Sequence, residues 1–108
     1  MWDELLIDSG LNEREVKSIM ILGSNPKMKA SELAKELNTT RLDAYNSLSR
    51  LQEMGIVTVT ADRPMLFSSM NVHQAIEHII DMRKQQLNRI TEGYKDLSKN
   101  VKKDVKTT

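Results

Sequence analysis

The sequence predicts a mostly α-helical chain with a small β-hairpin and one long C-terminal helix. Three observations carry this. Apolar residues recur at helical spacing through most of the first 54 positions. One β-branched run, Ile56-Val57-Thr58-Val59-Thr60, then interrupts them and is followed by turn residues. After Asn71 an apolar repeat of seven persists for more than four heptads.

The first helix runs from Trp2 to Asp8 and stops at Ser9-Gly10, a C-cap pattern. Asn12 offers an N-cap, with Glu15 three residues on in the capping-box position. Val16, Ile19, Met20 and Leu22 then keep helical spacing up to Gly23, and residues 24–28 are turn chemistry around Pro26. Ala30–Leu37 reads as a helix with Ala30, Leu33, Ala34 and Leu37 on one face. Asn38-Thr39-Thr40 is a polar turn that also caps the helix after it. That helix covers 41–54, with Ala44, Tyr45, Leu48 and Leu51 inward and Gly55 as its stop. Residues 56–60 suit a strand, 61–64 a turn, and 65–68 a returning strand.

Asn71 caps the last helix, expected from 72 to about 103. With a at 73, 80, 87, 94 and 101, and d at 76, 83, 90, 97 and 104, seven of ten seam positions are apolar: Ile76, Ile80, Leu87, Ile90, Tyr94, Leu97 and Val101. Arg83 at d is the awkward member. Gly93 lies off the seam and weakens the helix by roughly 1 kcal/mol relative to Ala. Such a helix is about 50 Å long at ~1.5 Å per residue, more than the rest of the chain can cover. Its seam needs a partner, and a second copy is the simplest one. The expected organisation is a domain over residues 1–70, a dimerisation helix over 71–104 forming an antiparallel or parallel coiled coil, and a frayed polar tail over 105–108.

The composition is that of a soluble domain: 108 residues, 39% apolar, 29% charged. Sixteen basic and fifteen acidic groups leave a formal charge of +1, which rules out a polycation binding nucleic acid by bulk charge. The charge is uneven. Residues 1–15 hold one basic and five acidic groups, residues 16–68 seven and five, residues 69–108 eight and five. The absence of Cys removes disulfides, thiolate zinc sites, Fe–S clusters and a cysteine nucleophile, and fits a reducing compartment. No stretch is long and apolar enough for a membrane span, and Met1-Trp2-Asp3-Glu4 is acidic where a signal peptide is basic. A cytoplasmic protein is expected.

Helix, tight polar turn, helix and β-hairpin make a winged helix-turn-helix, with the helix near 40–54 as the recognition element and 61–64 as the wing tip. Gly10-Leu11-Asn12-Glu13-Arg14-Glu15, Ala30-Ser31-Glu32-Leu33-Ala34, Tyr45-Asn46-Ser47-Leu48-Ser49-Arg50-Leu51, Gly55-Ile56-Val57 and Arg63-Pro64 stand out over about residues 5–70. On these residues the chain resembles the N-terminal domain of the TrmB-like archaeal transcription regulators. Related winged-helix families share the Leu-x-x-Leu-x-x-x-Gly-Ile-Val ending, and Thr40 stands where the family often has Pro. Larger members continue into a sugar-binding domain. Here one long helix occupies that place instead, and no small-molecule ligand is expected.

A helix in the major groove reads base edges with its outward side chains. A step of about 100° per residue leaves Asp43, Asn46, Ser47 and Arg50 outward. Thr39, Thr40 and Arg41 lie at the leading end, where backbone N–H groups favour a phosphate. Arg41 suits a bidentate guanine contact and Asn46 an adenine. Asp43 either accepts from cytosine or holds Arg41 or Arg50 in place. Lys27, Lys29, Lys35 and Arg50 suit phosphates, and Arg63 suits the minor groove or backbone at the wing. Tyr45 is read as core with its hydroxyl at the edge, and Trp2 as a packing anchor. Lys35, Glu36 and Glu53 also fit a merely solvated face.

No enzyme is expected: no nucleophile–base pair or Gly-rich phosphate loop appears, and Glu13 and Glu15 are read as an acidic surface. No metal or other cofactor is expected either. His73, Glu77 and Asp81 share helical spacing but read better as a solvated face. The expected function is sequence-specific binding of double-stranded DNA by a homodimeric transcription regulator. Two alternatives stand beside it: a winged-helix protein-interaction module, open because the recognition helix has no net charge, and an architectural chromatin protein with little sequence preference.

Overall fold

The computed structural model describes the backbone of residues 1–105 and the side chains of residues 1–100. It contains five helices and one hairpin: α1 (Trp2–Asp8), α2 (Glu13–Gly23), α3 (Ala30–Leu37), α4 (Arg41–Glu53), β1 (Val57–Val59), β2 (Phe67–Ser69) and α5 (Val72–Val105). This is the mostly helical fold with a small hairpin that the periodicities predict.

Local chemistry sets most boundaries. Asn12 and Glu15 form the expected capping box: Asn12 Oδ1 accepts from the Glu15 amide at 2.8 Å, and Glu15 Oε1 accepts from the Asn12 amide at 2.9 Å. Thr40 Oγ1 caps α4 by accepting from the Asp43 amide at 3.1 Å. Asn71 Oδ1 caps α5 by accepting from the Gln74 amide at 2.8 Å. Gly55 ends α4 with φ of 79°, a left-handed conformation that a Cβ disfavours. There His78 Nε2 lies 2.9 Å from the Met54 carbonyl oxygen.

The hairpin is antiparallel, pairing Val57 with Ser69, Thr58 with Ser68 and Val59 with Phe67. The returning strand starts two residues later than 65–68. The wing loop closes first on Thr60, whose amide donates to the Leu66 carbonyl at 3.0 Å and whose hydroxyl accepts from the Leu66 amide at 3.0 Å. The segment before α3 also joins the sheet at one point: Met28 and Phe67 exchange two backbone hydrogen bonds, at 3.0 and 2.7 Å. The loop ahead of the helix-turn-helix is thereby tied to the wing.

The chain divides into two compact units, residues 1–78 and 79–108. The first has one core, built from Leu6, Leu11, Val16, Ile19, Leu22, Leu33, Leu48, Leu51, Ile56 and Phe67, all buried. In the second, Ile80, Leu87, Ile90, Tyr94 and Leu97 of the seam are 49–70% exposed. Ile76, in the first unit, is half-buried. The seam residue Val101 lies outside the described side chains. Of the tail at 105–108, residues 106–108 lie outside the described residues, and the backbone of residue 105 closes α5.

Candidate nucleic-acid interface

Helix α4 buries one stripe and leaves two unlike flanks. Ala44, Ser47, Leu48 and Leu51 are buried. At about 100° per residue that stripe centres close to Ala44. Tyr45 then falls about 110° away on one flank, and Ser47 only about 50° from the centre. The structure agrees with this geometry and corrects two expectations. Ser47, expected outward, turns toward the core and is 6% exposed. Tyr45, expected in the core, is 44% exposed.

The flank toward α2 is occupied by ion pairs. Glu15, read from sequence as an acidic surface residue, is 1% exposed; its Oε2 lies 3.2 Å from Arg50 Nε. Arg50 Nη2 also donates to the Gly10 carbonyl at 3.3 Å. Arg50 is thus held against the start of α2, not left free for a phosphate. Asp43 pairs with Arg14 at 3.7 Å and accepts from the Thr39 hydroxyl at 3.3 Å. Its partner is Arg14, where Arg41 or Arg50 was expected. Thr40 is committed to its cap.

The flank toward the wing is different. Lys29, Ala30, Ser31, Arg41, Tyr45, Arg63, Pro64, Met65 and Phe67 line an open cleft of about 260 Å³. Its floor includes buried Phe67, whose ring meets that of Tyr45 edge-on at 6.4 Å and 88°. Lys29, Arg41 and Arg63 have no ion-pair or hydrogen-bond partner for their side-chain nitrogens among the described residues. The cleft therefore gathers three uncompensated cations around an aromatic floor. Such an arrangement is chemically suited to an anionic ligand.

The remaining candidates are more scattered. Asn46 is exposed on the far side of α4, as expected. Lys27 is exposed but lies off the cleft, in a shallow depression shared with Glu32, Lys35 and Glu36. Trp2 is half exposed and meets the His73 ring edge-on at 5.9 Å. Sequence reasoning missed Tyr45, Ser31 and Met65 as cleft residues. It also missed Leu42, 68% exposed on α4. The absence of Leu42 from the apolar stripe was a readable signal. Among the described residues no group of three or more His, Cys, Asp or Glu side chains could hold a metal ion. None of the described helices is long and apolar enough to cross a membrane.

Comparison with known proteins agrees with this architecture. A family model described as "Sugar-specific transcriptional regulator TrmB" matches residues 5–73. No curated protein sequence matches the chain. Among solved structures, TrmBL2, described as an archaeal chromatin protein with a novel mode of DNA binding, superposes with a TM-score of 0.77 at 17% identity, over 94% of this chain and 39% of that one. A MarR family protein from Bacillus stearothermophilus superposes with a TM-score of 0.59 at 16% identity, over 95% and 75%. The Zalpha domain of Carassius auratus PKZ, solved in complex with Z-DNA, gives a TM-score of 0.52 at 28% identity, over 54% and 94%.

Proposed function

The chain belongs to the TrmB family of transcriptional regulators and carries the winged helix-turn-helix of a DNA-binding regulator; on that premise we propose how it engages DNA. It binds duplex DNA as a homodimer, with α4 in the major groove and the wing tip at 61–64 on the adjacent backbone or minor groove. One observation carries this reading: Lys29, Arg41 and Arg63, free of partners among the described residues, converge on the flank of α4 that faces the wing. Cations left unpaired in one place on a near-neutral chain suit a phosphate backbone. Arg41 and Asn46 are the base-reading candidates, and Lys29 and Arg63 the backbone contacts. Thr39 and Thr40 shape the leading end of α4, and Asp43 and Arg50 hold the helix to α2.

The exposed seam of α5 supports pairing with a second copy. Five large apolar side chains at heptad spacing stay in water on the single chain. A two-fold dimer would present two copies of α4 to half-sites ~34 Å apart or a multiple of that.

Selection of bound duplexes from random DNA tests both parts. A pair of half-sites at fixed spacing is the expected result. A retained pool without common sequence would favour the architectural chromatin reading, and a failure to retain any duplex at moderate salt would sink the DNA reading. Light scattering during size exclusion checks the dimer; a stable monomer would favour a protein-interaction module.

A further inference from the structure

Helix α4 carries two large apolar side chains where a solvated or phosphate-binding helix would carry polar ones. Leu42 and Tyr45 lie one turn apart and are both exposed. Leaving such groups in water has a free-energy cost that a partner would remove. The surface between them and the wing is flanked by unpaired Lys29, Arg41 and Arg63, so the fitting occupant is apolar at its contact point and anionic around it. The major groove of duplex DNA combines those properties wherever a thymine C5-methyl stands between two phosphate strands.

Tyr45 is also fixed in advance. Its ring rests edge-on against Phe67. Phe67 is buried, its backbone N–H and C=O are both bonded to Met28, and it stands opposite Val59 in the hairpin. A contact residue held this way loses little freedom on binding, which favours its use in recognition. Its hydroxyl has no hydrogen-bond partner among the described residues.

We infer that Tyr45 is a sequence-reading residue: its ring, with Leu42 beside it, packs against a thymine C5-methyl in the major groove. This rests on the proposal that α4 enters that groove. The contact makes no demand on the tyrosine hydroxyl. It supplies apolar selectivity that the polar candidates Arg41 and Asn46 cannot.

The test uses the full chain and a duplex from the pool that it selects from random DNA, in two versions, with thymine or with deoxyuridine throughout the half-sites. Removing one packed methyl is expected to weaken wild-type binding about 4-fold per half-site. Tyr45→Phe should bind like wild type and keep that sensitivity. Tyr45→Ala should bind more weakly and lose it. Equal wild-type affinity for both versions overturns the inference while leaving DNA binding in place. So does a Tyr45→Phe loss as large as that of Tyr45→Ala, which would assign the contact to the hydroxyl. Should Tyr45→Ala not fold, the wild-type and Tyr45→Phe arms decide alone. If wild type binds no duplex, the groove reading falls first and this inference with it.

Discussion

Three arginines on or beside α4 should behave differently toward DNA, although they look alike in sequence. Arg41 and Arg63 line the cleft without a partner for their guanidinium groups among the described residues, whereas Arg50 is paired with buried Glu15 at 3.2 Å and with the Gly10 carbonyl at 3.3 Å. An unpaired cation that reaches a phosphate displaces a condensed counterion; a cation already neutralised within the protein displaces few. The log–log salt slope loses about 0.9 per lost phosphate contact, hence about 1.8 per dimer for Arg63→Ala, the backbone contact. Over a fourfold rise in salt, that removes roughly a tenfold share of the salt sensitivity. Arg41→Ala, at the base-reading candidate, should lower affinity for the selected duplex at every salt concentration with a smaller change of slope. Arg50→Ala should leave the slope within about 0.3 of wild type, and act instead through stability. Fluorescence anisotropy on one selected duplex, from about 50 to 200 mM salt, measures all three. A slope for Arg50→Ala as flat as that for Arg63→Ala would refute the argument. It would mean that Arg50 leaves Glu15 for the duplex, and that the pairing in the free chain does not decide which cations work.

The same geometry bears on stability and assembly. Glu15→Ala removes a buried cap acceptor and the partner of Arg50; it should cost about 2–3 kcal/mol, seen as a drop of about 10–20 °C in thermal melting. Glu15→Gln keeps the Asn12 contact and should cost about 1 kcal/mol by the same measurement. Gly55→Ala forces a Cβ into a left-handed residue 3.0 Å from His78 Nε2, and should cost about 1–2 kcal/mol in denaturant titration. Gly93→Ala meets nothing within 4 Å and should stabilise α5 by about 1 kcal/mol, read as higher helicity on heating. Ile90→Asp places a charge on the seam, and should yield monomers in sedimentation and about half the wild-type salt slope.

Those parts of the fold that depend on neighbouring residues were legible in the sequence. The Asn12/Glu15 box, the Thr40 and Asn71 caps and the Gly55 stop all act across four residues or fewer, and each sits where the residue types place it. What escaped is decided across distance. Ala44, Leu48 and Leu51 leave the centre of the buried stripe free to shift by half a residue, and packing against α2 and α3 settled it. The shift turned Ser47 inward and Tyr45 outward. Arg50 finds Glu15 from 35 positions away, so spacing along α4 could not reveal the pair. The Met28–Phe67 bridge likewise needs the wing to fold back before it exists.

The formal charge of +1 conceals how the charge is deployed. Residues 1–68 contain four arginines. Arg14 and Arg50 are paired with Asp43 and Glu15 on the α2 side of α4. Arg41 and Arg63 remain uncompensated on the wing side. The acidic groups near the start of the chain therefore do more than offset a total, since one of them, Glu15, ties α4 to α2 through Arg50. A protein arranged this way has little long-range attraction for nucleic acid, and must gain its affinity from close contact. On the proposed reading, specificity then rests on the few groups that would meet the duplex directly. It is also why an exposed, pre-positioned aromatic ring beside those two arginines carries more weight than the overall charge.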